Sequence, residues 1–386
     1  MSLTAFLNGP VLLDSGFRAG KAVLVEEGRI AAVAAESDVP VAARRIDLEG
    51  AMLVPGFIDV QVNGGGGALF NDAPTVETIA TIGAAHRRFG TTGFLPTLIS
   101  DDLSVMHEAI RAVDAAIEAG VPGVLGIHIE GPYLNSRRKG IHDSSKIREL
   151  DDEGFETLTG LRNGLTLVTL APERTTPAMI RRLVEAGVIV SAGHTNGRYA
   201  DIRAALDAGL AGFTHLFNAM SPLTSREPGA VGAALEDEAS WCGLIVDGRH
   251  IDPVTMRLAL RCKPVERFML VTDAMPSVGM AEKSFMLQGQ PIHVENGVCV
   301  NADGTLAGSD LDMALAVRNA IAMLDVSPEA ALRMASTHAA DFLRLGDRLG
   351  RVAPGAFADF AVLDSEFNVT ETWIRGTSGQ ELMIRI

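Results

Sequence analysis

VIVSAGHTNGRYADIRAALDAGLAGFTHLFN, residues 188–218, contains one whole unit of the fold. VIVSAGH (188–194) is a short, near-continuous apolar run, the signature of a strand buried on both faces. In RYADIRAALDAGL, Ile202, Leu206 and Leu210 recur every four residues on one face of a helix. GFTHLFN (212–218) is apolar again. Two buried strands joined by a helix read as a parallel pair with its crossover. Each strand also carries a histidine, His194 and His215.

The same alternation extends in both directions. VPGFIDVQV (54–62), TGFLPTL (92–98), GVLGIHIE (123–130), GLTLVTLAPE (164–173), CGLIVDG (242–248) and RFMLVTDA (267–274) are six further candidate strands. Eight strands with helical segments between them predict an α/β fold, a (β/α)8 TIM-like barrel, over residues 54–349. The ends differ. Residues 1–53 contain KAVLVEEGRIAAVA, a hairpin turning at Glu27-Gly28, and residues 350–386 contain the strand-like GAFADFAVLDSEFNVTETWIRG. These termini are expected to pair with each other as a small β-sandwich domain. Residues 284–307 form a β-rich insertion, with turns expected at Glu295-Asn296-Gly297 and Ala302-Asp303-Gly304.

At 386 residues and 47% apolar composition, the chain has room for a large core. No apolar run approaches the ~20 residues of a membrane span. The start, MSLTAFLNGPVLLDSG, has no basic residue ahead of its apolar part and makes a poor signal peptide. Cys242, Cys262 and Cys299 show no paired spacing, so a reducing, cytoplasmic location is expected. A net charge of −15 argues against a nucleic-acid partner. It leaves room for a small anionic substrate, because distant charges are screened beyond ~8–10 Å.

Barrel chemistry sits at the C-terminal strand ends, and the polar residues fall there. Strand one ends in Asp59, Gln61 and Asn63, strand three in His128 and Glu130, and strand eight in Asp273. Strands five and six carry His194 and His215, and strand seven leads to His250. Each is expensive to bury alone, so their recurrence in one layer indicates a shared site. Glu130, His194 and His215 form a ligand set for zinc or ferrous iron with a position open for water. Asp273 is then a candidate general base. His128 shares a face with Glu130 and is either a second ligand or packing. His86, His107, His293 and His338 lack this context and read as structural. Arg137-Arg138-Lys139 reads as a solvated charge run, and the glycines 64–67 as a flexible loop.

PGFIDVQVNG (55–64), GIHIEGPYLN (126–135) with RKGIHD (138–143), SAGHTN (191–196), THLFNAMSPLTSREP (214–228), DGRH (247–250) and VTDA (271–274) carry a family likeness. In order and spacing they resemble the N-acetylglucosamine-6-phosphate deacetylases of the amidohydrolase superfamily, from about residue 50 onward. The resemblance implies hydrolysis of N-acetylglucosamine-6-phosphate to glucosamine-6-phosphate and acetate, in amino-sugar catabolism. It implies one divalent metal per subunit, zinc first among the candidates, on Glu130, His194 and His215. It implies Asp273 as acid/base and His142 as the group that polarises the acetyl carbonyl. It places Asn218 and Ala219 beside the sugar, and His250 and Arg226 at the phosphate. Lys139 is a further candidate cation there. Arg226 is implied to reach the neighbouring active site of a homodimer.

Many superfamily members carry His-x-His at the end of strand one, where it holds a second metal. Gln61 and Asn63 stand there instead, and neutral amides are poor zinc ligands. The chain therefore resembles the mononuclear subgroup, with both amides lining the site and bonding water or substrate. Strand four ends in Glu173 rather than the lysine that bridges two metals in some relatives. Met275 follows Asp273 closely, where the family often has a smaller residue, and bears on the acyl or sugar pocket. Two alternatives stand beside this reading: an amidohydrolase for another N-acyl hexosamine phosphate or a cyclic amide, and a non-catalytic metal-binding scaffold.

Overall fold

The computed structural model describes residues 3–295 and 297–383. Asn296, in one expected turn of the insertion, lies outside the described residues.

Eight parallel strands pair in chain order: Phe57–Val62, Thr91–Ile99, Gly126–Glu130, Leu165–Leu170, Ile189–Ala192, Gly212–Phe213, Trp241–Leu244 and Phe268–Leu270. The ring closes between the last strand and the first. Val62 bridges Ala274 in parallel sense, and Asp273 N donates to Gln61 O at 3.0 Å. All six residues of the first strand are buried, as barrel interior and helix layer together require. Helices cover the outside. Of the expected stripe on the helix Tyr199–Asp207, Ile202 is fully buried, Leu206 partly so, and Leu210 is buried just past the helix end. Burying a side chain such as Ile202 is worth roughly 1.5–3 kcal/mol.

The stretch read as a single strand over 54–62 is two. Met52–Pro55 pairs antiparallel with Phe360–Leu363, and the barrel strand begins at Phe57. Gly56 is the crossing point. A Cβ there would lie 2.1 Å from Thr92 Oγ1, so only glycine lets the chain pass between the sheets.

The terminal strands form two sheets, one of four strands and one of six, and the second combines strands from both ends of the chain. They enclose a separate core in which Phe6 meets Phe360 and Trp373 edge-on, at 5.3 and 4.8 Å between ring centroids. The expected hairpin turns at Glu27-Gly28, both at positive φ.

The insertion is a four-stranded antiparallel sheet over Ser284–Leu287, Gln290–Glu295, Val298–Val300 and Leu306–Ser309. Its small core, Leu287, Ile292, Cys299 and Ala307, packs on Leu69, Ile99 and Met275 beside the C-terminal strand ends. It thus forms a wall over the face where barrel chemistry is placed. The glycines 64–67 are not a loose loop. Gly64–Gly65 pairs with Ala68–Leu69, and His86 Nε2 bonds Gly64 O at 2.9 Å.

Candidate active site

The strand ends leave the ladder as they reach the site. His194, His215, Ala219 and Asp273 all adopt positive φ, at 48°, 35°, 52° and 53°. Left-handed backbone is disfavoured for residues with a Cβ, so four instances in one layer mark a place where packing overrides local preference. It also explains why the strands are shorter than their apolar runs. Strand six, expected over 212–218, is only Gly212–Phe213.

Glu130, His194 and His215 are each at most 5% exposed, and their ligand atoms form a triangle. Glu130 Oε1 lies 2.9 Å from His215 Nε2 and 3.2 Å from His194 Nε2, and the two nitrogens are 3.1 Å apart. His194 Nδ1 donates to Arg138 O at 2.8 Å, which leaves a lone pair on Nε2 facing the triangle. A carboxylate oxygen and two imidazole nitrogens around one point could hold a metal ion together. Tetrahedral ligands ~2.0–2.1 Å from zinc stand roughly 3.3 Å apart, close to these edges. Burial alone would raise Glu130, but the His194 and His215 imidazoles beside it hold it well below its ordinary range. Burial opposes charge on His215, yet the Glu130 hydrogen bond and charge push it up.

His128 is not part of this set. Its Nδ1 contacts Thr97 Oγ1 at 3.1 Å and its Nε2 contacts Thr169 Oγ1 at 2.8 Å, so both nitrogens are engaged inside the barrel. Glu173 also stays away from the triangle. It accepts from Asn135 Nδ2, Thr195 Oγ1 and Asn196 N, and so ties together the loops after strands three and five.

The triangle opens on a cavity of about 230 Å³, lined also by His142, Asn218, Ala219, His250 and Asp273. Asp273 is desolvated and feels the Glu130 charge, which together push its carboxyl up to about 6. Its Oδ1 accepts from Asn63 Nδ2 at 2.7 Å and from Gln61 Nε2 at 3.1 Å. Gln61 Nε2 also reaches both Glu130 oxygens, at 3.3 and 3.2 Å. Both amides are buried, and their nitrogens donate to the two carboxylates.

His142 is buried, and desolvation pushes its imidazole down to about 3, so the ring is neutral. Its Nδ1 receives the Ser100 N–H at 3.3 Å and lies 2.8 Å from Ser100 Oγ. A backbone N–H only donates, so Nδ1 is the acceptor and the ring proton sits on Nε2. His250 Nδ1 is 2.6 Å from Asp247 Oδ2, which orients that ring. Asn218 Nδ2 is turned to the carbonyls of His215 and Leu216.

Two expected residues are not brought into the cavity. Lys139 Nζ bonds the carbonyl oxygens of His142 and Gly140, at 3.1 and 3.4 Å, and so braces its own loop. Arg226 is exposed and lies outside the cavity wall of its own chain. Other wall residues carried no sequence signal of their own: Ile99, Ile141, Thr305, Leu306 and Gly308. Met275 joins them as an apolar wall beside Asp273.

A model of the amidohydrolase family matches residues 52–379. The chain belongs to the amidohydrolase family. Within it, this amidohydrolase is 46% identical over 326 residues to the N-acetylgalactosamine-6-phosphate deacetylase of Shewanella sp. (strain ANA-3), covering 84% of this chain and 82% of that one. Its fold superposes on the crystal structure of N-acetylglucosamine-6-phosphate deacetylase from Pasteurella multocida with a TM-score of 0.94 at 34% identity, covering 97% of this chain and 99% of that one. A Mycobacterium smegmatis N-acetyl-D-glucosamine-6-phosphate deacetylase mutant, solved in complex with N-acetyl-D-glucosamine-6-phosphate, gives 0.88 at 33% identity, covering 98% and 100%.

Proposed function

We propose that this chain hydrolyses the acetamide of N-acetylglucosamine-6-phosphate, giving glucosamine-6-phosphate and acetate in amino-sugar catabolism. The observation that carries this is the Glu130–His194–His215 triangle, with Asp273 and His142 on the same cavity. Glu130, His194 and His215 would hold one divalent ion, zinc first and ferrous iron second. Bound there, the ion supplies Lewis acidity that polarises the amide carbonyl and acidifies water.

The chain's own groups do the rest. Asp273 takes a proton from the attacking water and later returns it to the departing amine. His142, neutral with its proton on Nε2, donates to the acetyl oxygen as negative charge develops there. One such donor is worth ~3–4 kcal/mol in known cases. Gln61 and Asn63 hold Asp273 and Glu130 in register, which suits a one-metal site. Asn218 and Ala219 flank the sugar. His250 binds the phosphate with Arg226 of a second subunit. That Arg226 is exposed and absent from its own cavity wall supports donation across a homodimer.

Residues 1–53 with 350–386 are taken as the sandwich unit, and 54–349 as the catalytic one. The cytoplasm is the proposed location. All three cysteines are free, and among the described residues no helix is long and apolar enough to cross a membrane.

The galactosamine epimer is the second reading, favoured by the 46% identity to a deacetylase of that sugar phosphate. The test is acetate release by metal-stripped protein titrated with zinc, on both sugar phosphates and on unphosphorylated N-acetylglucosamine. Activity that saturates near one zinc per chain and needs the phosphate supports the proposal. A preference for the galacto epimer moves it to the second reading. Activity on neither phosphosugar with metal bound overturns both.

A further inference from the structure

The insertion that follows strand eight contributes more than a wall. Its first hairpin turns at Gln288-Gly289, between Ser284–Leu287 and Gln290–Glu295, with φ of 47° and 77°. A two-residue loop with both residues at positive φ is a type I′ turn, where asparagine, aspartate or glycine is the usual first residue. Glutamine there costs backbone energy.

Gln288 uses both ends of its amide. Nε2 donates to Ser100 O at 3.0 Å, and Oε1 accepts from Asp143 N at 3.1 Å. Ser100 is the residue whose N–H and hydroxyl meet His142 Nδ1. Asp143 is the residue after His142. One side chain thus joins the two segments that hold this histidine, from 188 and 145 residues away in sequence.

The loop needs such a tie. Between strand three, ending at Glu130, and the helix starting at Asp152, the chain has only the short 3-10 turns Ser136–Arg138 and Ser144–Lys146. The Lys146 contacts to Asp101 and Asp102 brace the same loop, but they are partly exposed ion pairs and weakened by solvent. Leu287, beside Gln288, is 1% exposed in the core shared with Ile99 and Met275, so the hairpin tip is anchored. A donor to a developing oxyanion works only if it is placed to a fraction of an ångström.

We propose that Gln288 is a positioning residue for His142: by clamping Ser100 to the backbone at Asp143, it sets where Nε2–H meets the acetyl oxygen. This rests on the oxyanion role given to His142 above.

The test is a double-mutant cycle on the zinc-loaded enzyme, using Gln288→Ala, His142→Ala and the pair, with Gln288→Met as a shape-filling control. Acetate release gives kcat and KM, alongside metal content and thermal midpoint. Gln288→Ala and Gln288→Met should each lower kcat about tenfold or more, with KM, metal and midpoint little changed. Gln288→Ala should add nothing in the His142→Ala background. Effects that multiply, or a normal kcat for Gln288→Met beside a defective His142→Ala, overturn the clamp and leave the reaction as proposed. A normal kcat for His142→Ala overturns the role of His142 itself. Should Gln288→Ala fail to fold, the cycle is read with Gln288→Met.

Discussion

Asn63 Nδ2 lies 2.7 Å from Asp273 Oδ1, and it fixes which oxygen of that carboxylate is free to react. Gln61 Nε2 reaches the same oxygen at 3.1 Å. The Asp273 backbone is pinned as well, with its N–H on Gln61 O and its carbonyl accepting from Ser309 N. Oδ2 is thereby left for the proton transfer proposed above. Asp273→Asn should keep its metal and lose ~10²–10⁴ in kcat, the usual scale for a general acid/base. Asn63→Ala removes one positioning donor, so a smaller loss, about tenfold, is expected with metal retained. Metal analysis beside acetate release checks both. Near-normal turnover of Asp273→Asn would remove it from the proton-transfer role.

The pH profile follows from the same carboxylate. Asp273 must be ionised to take a proton from water, so kcat/KM should rise with pH along an acid limb. Burial, and then the Glu130 charge, push the group to about 6. A divalent ion on the neighbouring ligands favours the carboxylate and pulls the limb below that value. The limb should therefore lie at or below about 6 in the zinc enzyme. It should vanish from the residual activity of Asp273→Asn. A limb unchanged in that variant belongs to another group.

A second buried carboxyl bears on stability rather than rate. Asp59 is fully buried, and burial pushes it from 3.8 to about 7, despite the bonds it accepts from Thr272 and the Gln61 backbone. The folded pKa lies above the unfolded one. Its stabilising contribution is thus complete below about 3.8 and is lost as pH rises through about 7. Three units correspond to on the order of 4 kcal/mol. Asp59→Asn lacks this slope. Denaturant midpoints at pH 5 and pH 8 should show the variant gaining on the parent at the higher pH. An equal gap at both values would show that Asp59 does not titrate in that window.

The strands were legible because a strand buried on both faces is a continuous apolar run, and eight such runs recur with helices between them. Their ends were not. His194, His215 and Asp273 leave the ladder at positive φ, a turn that no apolar pattern announces. Gly56 divides one apolar run between two sheets for a reason visible only in Thr92, against which it packs. The triangle could be read from residue types, since Glu130, His194 and His215 have few other reasons to stand at strand ends. Ser100 and Gln288 could not, because they are ordinary polar residues until the fold brings Ser100 against His142 and Gln288 against Ser100. Lys139 carries the right charge for a phosphate, and in the structure its ammonium bonds its own loop's carbonyl oxygens.

Arg226 supports the one prediction that needs two subunits. It is exposed, lies outside its own cavity wall, and sits near Leu223, a large apolar residue 57% exposed. In a two-fold dimer each subunit would present this arginine to the other's site. Arg226→Ala should then weaken turnover of the phosphosugar far more than that of unphosphorylated N-acetylglucosamine, because it removes binding remote from the reacting bond. Subunit mixing separates the two geometries. Arg226→Ala and Asp273→Asn should each be crippled when assembled alone. In a mixed dimer with the arginine reaching across, the site with intact Asp273 receives Arg226 from its partner, and the other site carries both defects. Random mixing makes half the dimers mixed, so about a quarter of parental activity should return. With Arg226 acting in its own subunit, every site keeps one defect and mixing restores nothing. Acetate release after co-refolding or co-expression of the two variants reads the difference directly.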